Sequence, residues 1–251
     1  MKLNRYVVSI LLALSSMNYA MDIIGHRGAC GYKPENTLSS FALAVEMGVD
    51  KIELDVYVCT TGELVVIHDD LVDRTTNGHG MVINMSFEEL RNLIVEDVEQ
   101  IPTLQEVIEL VDRRVPINVE LKGPNTAQPV AELLINYMEN GWMPNDFVAS
   151  SFQHDQVDLF QKLCPEIETG VLFESDDFSD YIAIALMHNA QSIGLSCDLV
   201  TENLLPVDLI DNAHDNGLKV LMYTVNDREL ADQLEAMGVD GIFSNYPDKM
   251  K

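Results

Sequence analysis

Residues 51–68 read KIELDVYVCTTGELVVIH, and how they divide decides the fold. Two apolar runs, 51–58 and 64–68, are separated only by Cys59 to Glu63. Parallel neighbours need a connection of about a dozen residues or more, so the runs predict an antiparallel hairpin centred near Thr61. Further strand-like runs fall at 22–26, 116–122, 147–152, 169–173, 192–196, 219–225 and 240–243. Setting aside the hairpin's second strand leaves eight strands joined by crossovers, which predicts a closed TIM (β/α)8 barrel. Residues 69–101, with a short helix near 86–95, then read as a small insertion on the barrel rim.

Outward from the hairpin, amphipathic stretches alternate with the strands. Leu38, Phe41, Ala42 and Val45 predict one apolar helix face, and Leu104, Val107, Ile108 and Val111 another. Ser86 with Glu89, and Thr103 with Glu106, have capping-box spacing. Two junctions recur almost unchanged, EMGVDKI at 46–52 and AMGVDGI at 236–242. Each reads as a helix end, a glycine cap and entry into a buried strand, as repeated units would give.

At 251 residues and 47% apolar, the chain suits one barrel domain over 21–251. Its 41 Asp+Glu against 15 Lys+Arg argue against nucleic acid and anionic membranes as partners, since both attract basic patches. Lys2 and Arg5, an apolar run from Tyr6 to Leu14 and a small residue at Ala20 have the shape of a secretory signal over 1–20. That predicts a periplasmic or secreted protein. Asn18 fits a cleavage site poorly, and the alternative is a cytoplasmic protein translated from Met21. The apolar run is too short to span a bilayer, which predicts no stable membrane insertion. Cys30, Cys59, Cys164 and Cys197 lack zinc-site spacing. A Cys30–Cys59 bridge is the alternative to free thiols. Oligomeric state is not legible.

Chemistry concentrates at strand ends. Glu53 and Asp55 are two apart on a strand and share a face. Two carboxylates inside a barrel are costly unless compensated, and a hard divalent cation compensates them through oxygen. A solvated edge pair is the competing reading. The hairpin places His68 across from about Leu54, beside both carboxylates, as a ligand, a proton carrier or a structural closure. Glu120 and Lys122 repeat the spacing, giving a third acidic ligand and a cation for an anionic substrate, or else a plain ion pair. His26 ends the first strand, with Arg27 next to it. A divalent cation, two imidazoles and one or two fixed cations suit hydrolysis of a phosphodiester. No phosphate-binding Gly-rich loop and no GxSxG elbow is present. His79, His154, His188 and His214 read as surface residues.

The chain resembles the glycerophosphodiester phosphodiesterases of the phosphatidylinositol-phospholipase-C-like superfamily. The resemblance rests on HRG at 26–28, PENT at 34–37, ELDV at 53–56 and VIHD at 66–69. It extends through DRTTNG at 73–78, IPTL at 101–104, ELK at 120–122, TVN at 224–226 and GVDGI at 238–242. It implies His26 and His68 as the general acid/base pair, and Glu53, Asp55 and Glu120 as ligands of Ca²⁺ or Mg²⁺. Arg27 and Lys122 are implied at the phosphate, Arg27 through a turn at Gly28 that swings it inward. The implied reaction yields glycerol 3-phosphate and an alcohol from a small-molecule glycerophosphodiester. A lysophospholipase D or phospholipase acting on lipid is the alternative, and a non-catalytic binding barrel a third. Two positions depart from the pattern. Tyr223 stands where the family usually has Trp and is expected to wall the glycerol carbons. Asn245 stands where Asp is often found and is expected to alter loop bonding only.

Overall fold

The structure, a computed structural model, describes residues 20–96, 98–174 and 180–251. The expected signal segment 1–20 lies, but for Ala20, outside them. Strands β1 (Asp22–Gly25), β2 (Lys51–Val58), β3 (Leu64–Val66), β4 (Ile117–Leu121) and β5 (Phe147–Ser151) are followed by β6 (Glu168–Leu172), β7 (Ser192–Ser196), β8 (Lys219–Tyr223) and β9 (Gly241–Ser244). β1 pairs in parallel with both β9 and β2, so the sheet closes on itself. Eight parallel strands form the barrel, and β3 lies antiparallel to β2 outside it. The hairpin register pairs Val58 with Leu64 and Val56 with Val66. Cys59 N–H donates to Glu63 O, which centres the turn on Thr61. Continuing that register sets His68 against Leu54, as the spacing predicts.

Strand alternation sorts the side chains. Along β2, Ile52, Leu54 and Val56 face the surrounding helices and join the core with Ile117, Val119 and Leu121 of β4. Glu53, Asp55, Asn118 and Glu120 therefore point into the barrel, and all four are buried. Each fully buried Leu or Ile contributes roughly 1.5–3 kcal/mol, so the outward rows fix which carboxylates face inward. A one-residue slip would reverse every side chain. A second core region joins Ile193, Leu195, Val220, Met222 and Ile242 on the far wall.

The recurring junctions feed the two strands that flank β1. Asp50 Oδ2 accepts from Ile23 N–H at 2.8 Å, and Asp240 Oδ2 accepts from Val220 N–H at 2.7 Å. Each Asp thus satisfies a backbone donor of the neighbouring strand. Gly48 and Gly238 adopt positive φ (73° and 90°), the conformation a glycine accepts at least cost.

Helix α1 (Leu38–Glu46) departs from expectation. Its buried residues are Ser40, Phe41 and Ala44, with Leu38 and Val45 only partly covered. The face is rotated because Ser40 Oγ donates to Arg27 O at 2.9 Å, docking the helix against the turn after β1. The rim insertion carries α2 (Phe87–Arg91), shorter than predicted, and α3 (Leu104–Val111) returns the chain to the barrel. Both capping boxes form, and all four predicted apolar positions of α3 are buried. Tyr57, Val65, Val72 and Leu90 form a small separate core under the insertion. The remaining wall helices are α4 (Ala127–Glu139), α5 (His154–Leu163), α6 (Tyr181–Met187), α7 (Asp198–Thr201), α8 (Leu209–Asp215) and α9 (Arg228–Met237). All four cysteines are free thiols. No helix among the described residues is long and apolar enough to cross a membrane.

Candidate active site

A cleft of about 360 Å³ opens at the carboxyl ends of the barrel strands. His26, Arg27, Glu53, His68, Glu120, Lys122 and Tyr223 all line it, and Asp55 lies just behind, 1% exposed. The first loop sets this up. After β1, Arg27 and Gly28 take left-handed backbone (φ 54° and 86°), reversing the chain. For Arg27 that conformation costs roughly 1–2 kcal/mol. Its N–H compensates by donating to Glu53 Oε2 at 2.8 Å. The reversal also turns the Arg27 side chain inward, where Nε comes within 3.6 Å of Asp55 Oδ2. The inward swing thus starts at Arg27 itself rather than at Gly28 alone. At Gly28 a Cβ would come within 2.4 Å of Ser40 Oγ, so a larger residue would push α1 away.

Glu53, Asp55 and Glu120 each present a carboxylate oxygen within 4.8 Å of the others. Burial, reinforced by the neighbouring carboxylates, pushes Glu53 well above the usual range and Glu120 up to about 7. Lys122 Nζ stands 2.9 Å from Glu120 Oε1 and 4.0 Å from Asp55 Oδ1. The first contact gives Glu120 Oε1 a charged partner, whereas buried Asp55 Oδ1 has no hydrogen-bond donor among the described residues. Buried acceptors without donors are expensive. Two fixed cations against three carboxylates also leave the cluster short of positive charge. An all-oxygen set with undonated lone pairs fits a hard divalent cation.

Asn36 supports this cluster, although the sequence offers it only as part of a helix start. It sits at φ 58°, is 3% exposed, and donates from Nδ2 to Asp55 Oδ2 at 2.8 Å. The opposite lone pair of Asp55 is thereby kept clear.

The two imidazoles have unlike partners. His26 Nδ1 meets Asn245 Oδ1 at 2.7 Å. Asn245 is itself held by its N–H donating to Asn226 Oδ1 at 2.8 Å. Asn245 therefore does more than alter loop bonding. His68 Nδ1 meets Asp69 Oδ1 at 2.6 Å. Burial lowers both imidazoles, His26 to about 4 with help from the Arg27 charge. With Nδ1 engaged in both rings, Nε2 is the nitrogen left for the cleft.

Lys122 Nζ also lies 5.1 Å from the centre of the Phe152 ring, which meets Tyr223 edge-on at 5.8 Å. The Tyr223 hydroxyl donates to Phe173 O, so its ring is what it offers the cleft. The remaining histidines are paired elsewhere. His79 and His214 are exposed and bonded to Asp73 and Asp240. His154 and His188 are partly buried rather than superficial, bonded to Leu172 O and Asp158.

The sequence profile of the glycerophosphoryl diester phosphodiesterase family matches residues 26–249. The Bacillus subtilis protein YhdW is 37% identical over 235 residues, covering 91% of this chain and 96% of YhdW. The glycerophosphodiester phosphodiesterase of Caldanaerobacter subterraneus is 34% identical over 237 residues, covering 91% and 95%. Among solved structures, an Oleispira antarctica phosphodiesterase in complex with the product sn-glycerol-3-phosphate superposes with a TM-score of 0.82. Identity there is 29%, over 92% of this chain and 95% of that one. With a profile that spans the barrel from His26 to Lys249, the chain belongs to the glycerophosphoryl diester phosphodiesterase family.

Proposed function

We propose that this protein hydrolyses small glycerophosphodiesters to glycerol 3-phosphate and an alcohol, using His26 and His68 as its proton carriers. The observation that carries this reading is the convergence on one cleft of two imidazoles, each with Nδ1 engaged, a buried acidic triad and two cations. Arg27 and Lys122 meet the anionic diester. Phe152 and Tyr223 wall off the glycerol carbons and exclude water from them. His26 has an uncharged partner and is neutral near pH 7, so its Nε2 takes the proton of the attacking hydroxyl. His68 is backed by the Asp69 carboxylate, which stabilises an imidazolium, and it protonates the departing alkoxide. Glu53, Asp55 and Glu120 would hold Ca²⁺ or Mg²⁺, whose charge offsets that developing at phosphorus in the transition state.

The charge pattern over residues 2–20 supports export to the periplasm or beyond. Sequencing the amino terminus of the native protein tests cleavage after Ala20, and a chain still carrying residues 1–20 would reject that cleavage. The activity is tested by incubating purified protein with glycerophosphocholine, with and without EDTA, and detecting glycerol 3-phosphate enzymatically. Metal-dependent release is expected. No release with Ca²⁺ and Mg²⁺ both supplied would overturn the proposal.

A further inference from the structure

We propose that Arg74, on the rim insertion and outside the cleft, is a positioning residue that locks the two catalytic loops to each other. This rests on the reading of His68 and Arg27 given above. The loop after β1 carries Arg27 and Glu35, and the loop after β3 carries His68 and Asp69. The Arg74 guanidinium sits between two carboxylates and donates to both. Nη1 and Nη2 reach Glu35 Oε2 and Oε1 at 2.8 and 2.7 Å, while Nε and Nη2 reach Asp69 Oδ2 and Oδ1 at 2.6 and 2.9 Å.

Each of those carboxylates in turn holds a residue of the cleft. Glu35 Oε1 accepts from Arg27 Nη1 at 2.9 Å, and Asp69 Oδ1 meets His68 Nδ1 at 2.6 Å. The result is an unbroken chain of charge-assisted contacts, Arg27–Glu35–Arg74–Asp69–His68. Such bonds are short and directional, and a guanidinium fork gripping two carboxylates fixes their planes as well as their distance. The Arg74 charge keeps both acids ionised, holding Glu35 down to about 2 and Asp69 well below the usual range. Arg74 does not line the cleft, and its side chain is 48% exposed, so it has no place at the substrate. What it sets is the spacing between the imidazole of one loop and the guanidinium of the other. The insertion presents it from a tight turn in which Thr76 N–H and Oγ1 both bond to Val72 O.

Lysine cannot replace it. An ammonium has its three donors on one atom and cannot span two carboxylates in a plane.

The test compares wild-type protein with Arg74→Ala and Arg74→Lys on glycerophosphocholine, metal supplied, with and without sub-denaturing methylguanidinium. Loosening a supporting group by about an ångström costs on the order of 10- to 100-fold, and that loss in kcat is expected for both variants with the thermal midpoint retained. Saturable recovery of Arg74→Ala by methylguanidinium, and not by methylammonium, is the decisive expectation, because a general loss of folding would not respond to it. A variant within about threefold of wild type, a loss that methylguanidinium does not relieve, or equal rescue by both cations would overturn the proposal.

Should wild type itself release no glycerol 3-phosphate, the functional reading falls and the inference is read from proton NMR of the resting protein. The downfield signal of the His68 Nδ1 proton should vanish in Arg74→Ala and persist in Arg113→Ala, a half-exposed arginine elsewhere on the surface. Its persistence in Arg74→Ala would overturn the positioning role.

Discussion

His26 Nδ1 and Asn245 Oδ1 lie 2.7 Å apart although 219 positions separate them in the chain. The contact joins the loop after the first barrel strand to the loop after the last, across the seam where the barrel closes. Asn245 is fixed in turn by Asn226, in the loop after β8, the seventh barrel strand. The amide oxygen accepts a hydrogen bond from Nδ1–H and brings no charge. It orients the ring and directs the Nε2 lone pair to the cleft, while burial and the Arg27 guanidinium hold the imidazole neutral.

An aspartate at the same position would keep the hydrogen bond and add a negative charge, raising the His26 pKa. Between its present value of about 4 and the new one, His26 would become protonated and lose its basicity. The Asn245→Asp variant should therefore keep its activity near pH 8 and lose it near pH 6, with the acid limb of kcat/KM displaced upward. His68, Arg27 and Asp55 face the same ring and remain unchanged, so the displacement belongs to the partner. Asn245→Leu should instead lower kcat at every pH by about 10-fold or more. Coincident pH profiles for wild type and Asn245→Asp would reject the contact as functional.

The division of labour between the imidazoles makes a sharper prediction. A general acid matters only when the leaving group needs a proton. With glycerophosphocholine, His26→Ala and His68→Ala should each lower kcat by roughly 10²-fold or more. With a glycerophosphoryl nitrophenol, whose leaving group departs as a stable anion, His68→Ala should recover most of its rate and His26→Ala should not. The opposite pattern would exchange the two roles.

Much of this site is legible in the sequence because it follows from strand periodicity. Glu53 and Asp55 on β2, and Glu120 on β4, alternate with apolar positions, so burial of Ile52, Leu54 and Val119 forces the carboxylates inward, and Lys122 follows one residue past the end of β4. The hairpin fixes His68 through nothing more than the length of its turn. Asn36, Asn245 and Arg74 are of another kind. Each acts through a loop whose path is set by tertiary contacts, and no period in the sequence carries that information. Asn36 is hidden in a stretch that also reads as a helix start, and its left-handed backbone is visible only once the chain has turned at Arg27 and Gly28. Arg74 stands in an insertion whose arrangement depends on a small core of its own.

Asn36 yields a prediction on metal affinity. Asn36→Ala would remove the only side-chain hydrogen bond to Asp55 Oδ2 among the described residues and leave that buried oxygen undonated. The carboxylate is then free to rotate, and supporting groups of this kind are worth about 10- to 100-fold in metal affinity. Calorimetric titration of the metal-free protein with Ca²⁺ or Mg²⁺ should show that weakening, with the thermal midpoint of the metal-free protein lowered as well. Unaltered affinity would mean that the amide serves only the turn.

Removal of metal should expose a pH dependence whose sign follows from the pKa shifts. In the metal-free protein Glu120 is raised from its ordinary 4.5 to about 7. Its stabilising contribution is complete below pH 4.5 and is lost as pH rises through 7, because the folded form holds a proton that the unfolded chain releases. His26 is depressed from 6.5 to about 4, so its contribution is present above pH 6.5 and is lost as pH falls through 4. The two slopes oppose each other between pH 4.5 and 6.5 and partly cancel there. A divalent cation competes with the proton on Glu120, and also on Glu53, which is raised by the same burial and neighbouring charge. The increase in Tm on adding saturating Ca²⁺ or Mg²⁺ should therefore be small at pH 5 and grow steadily to pH 8. At about 100 times the dissociation constant the stabilisation would be about 2.7 kcal/mol. Glu120→Gln should remove most of the increment while leaving the metal-free protein at least as stable as wild type near pH 8. An increment that is flat with pH, or that survives in Glu120→Gln, would show that the cation binds away from the three carboxylates.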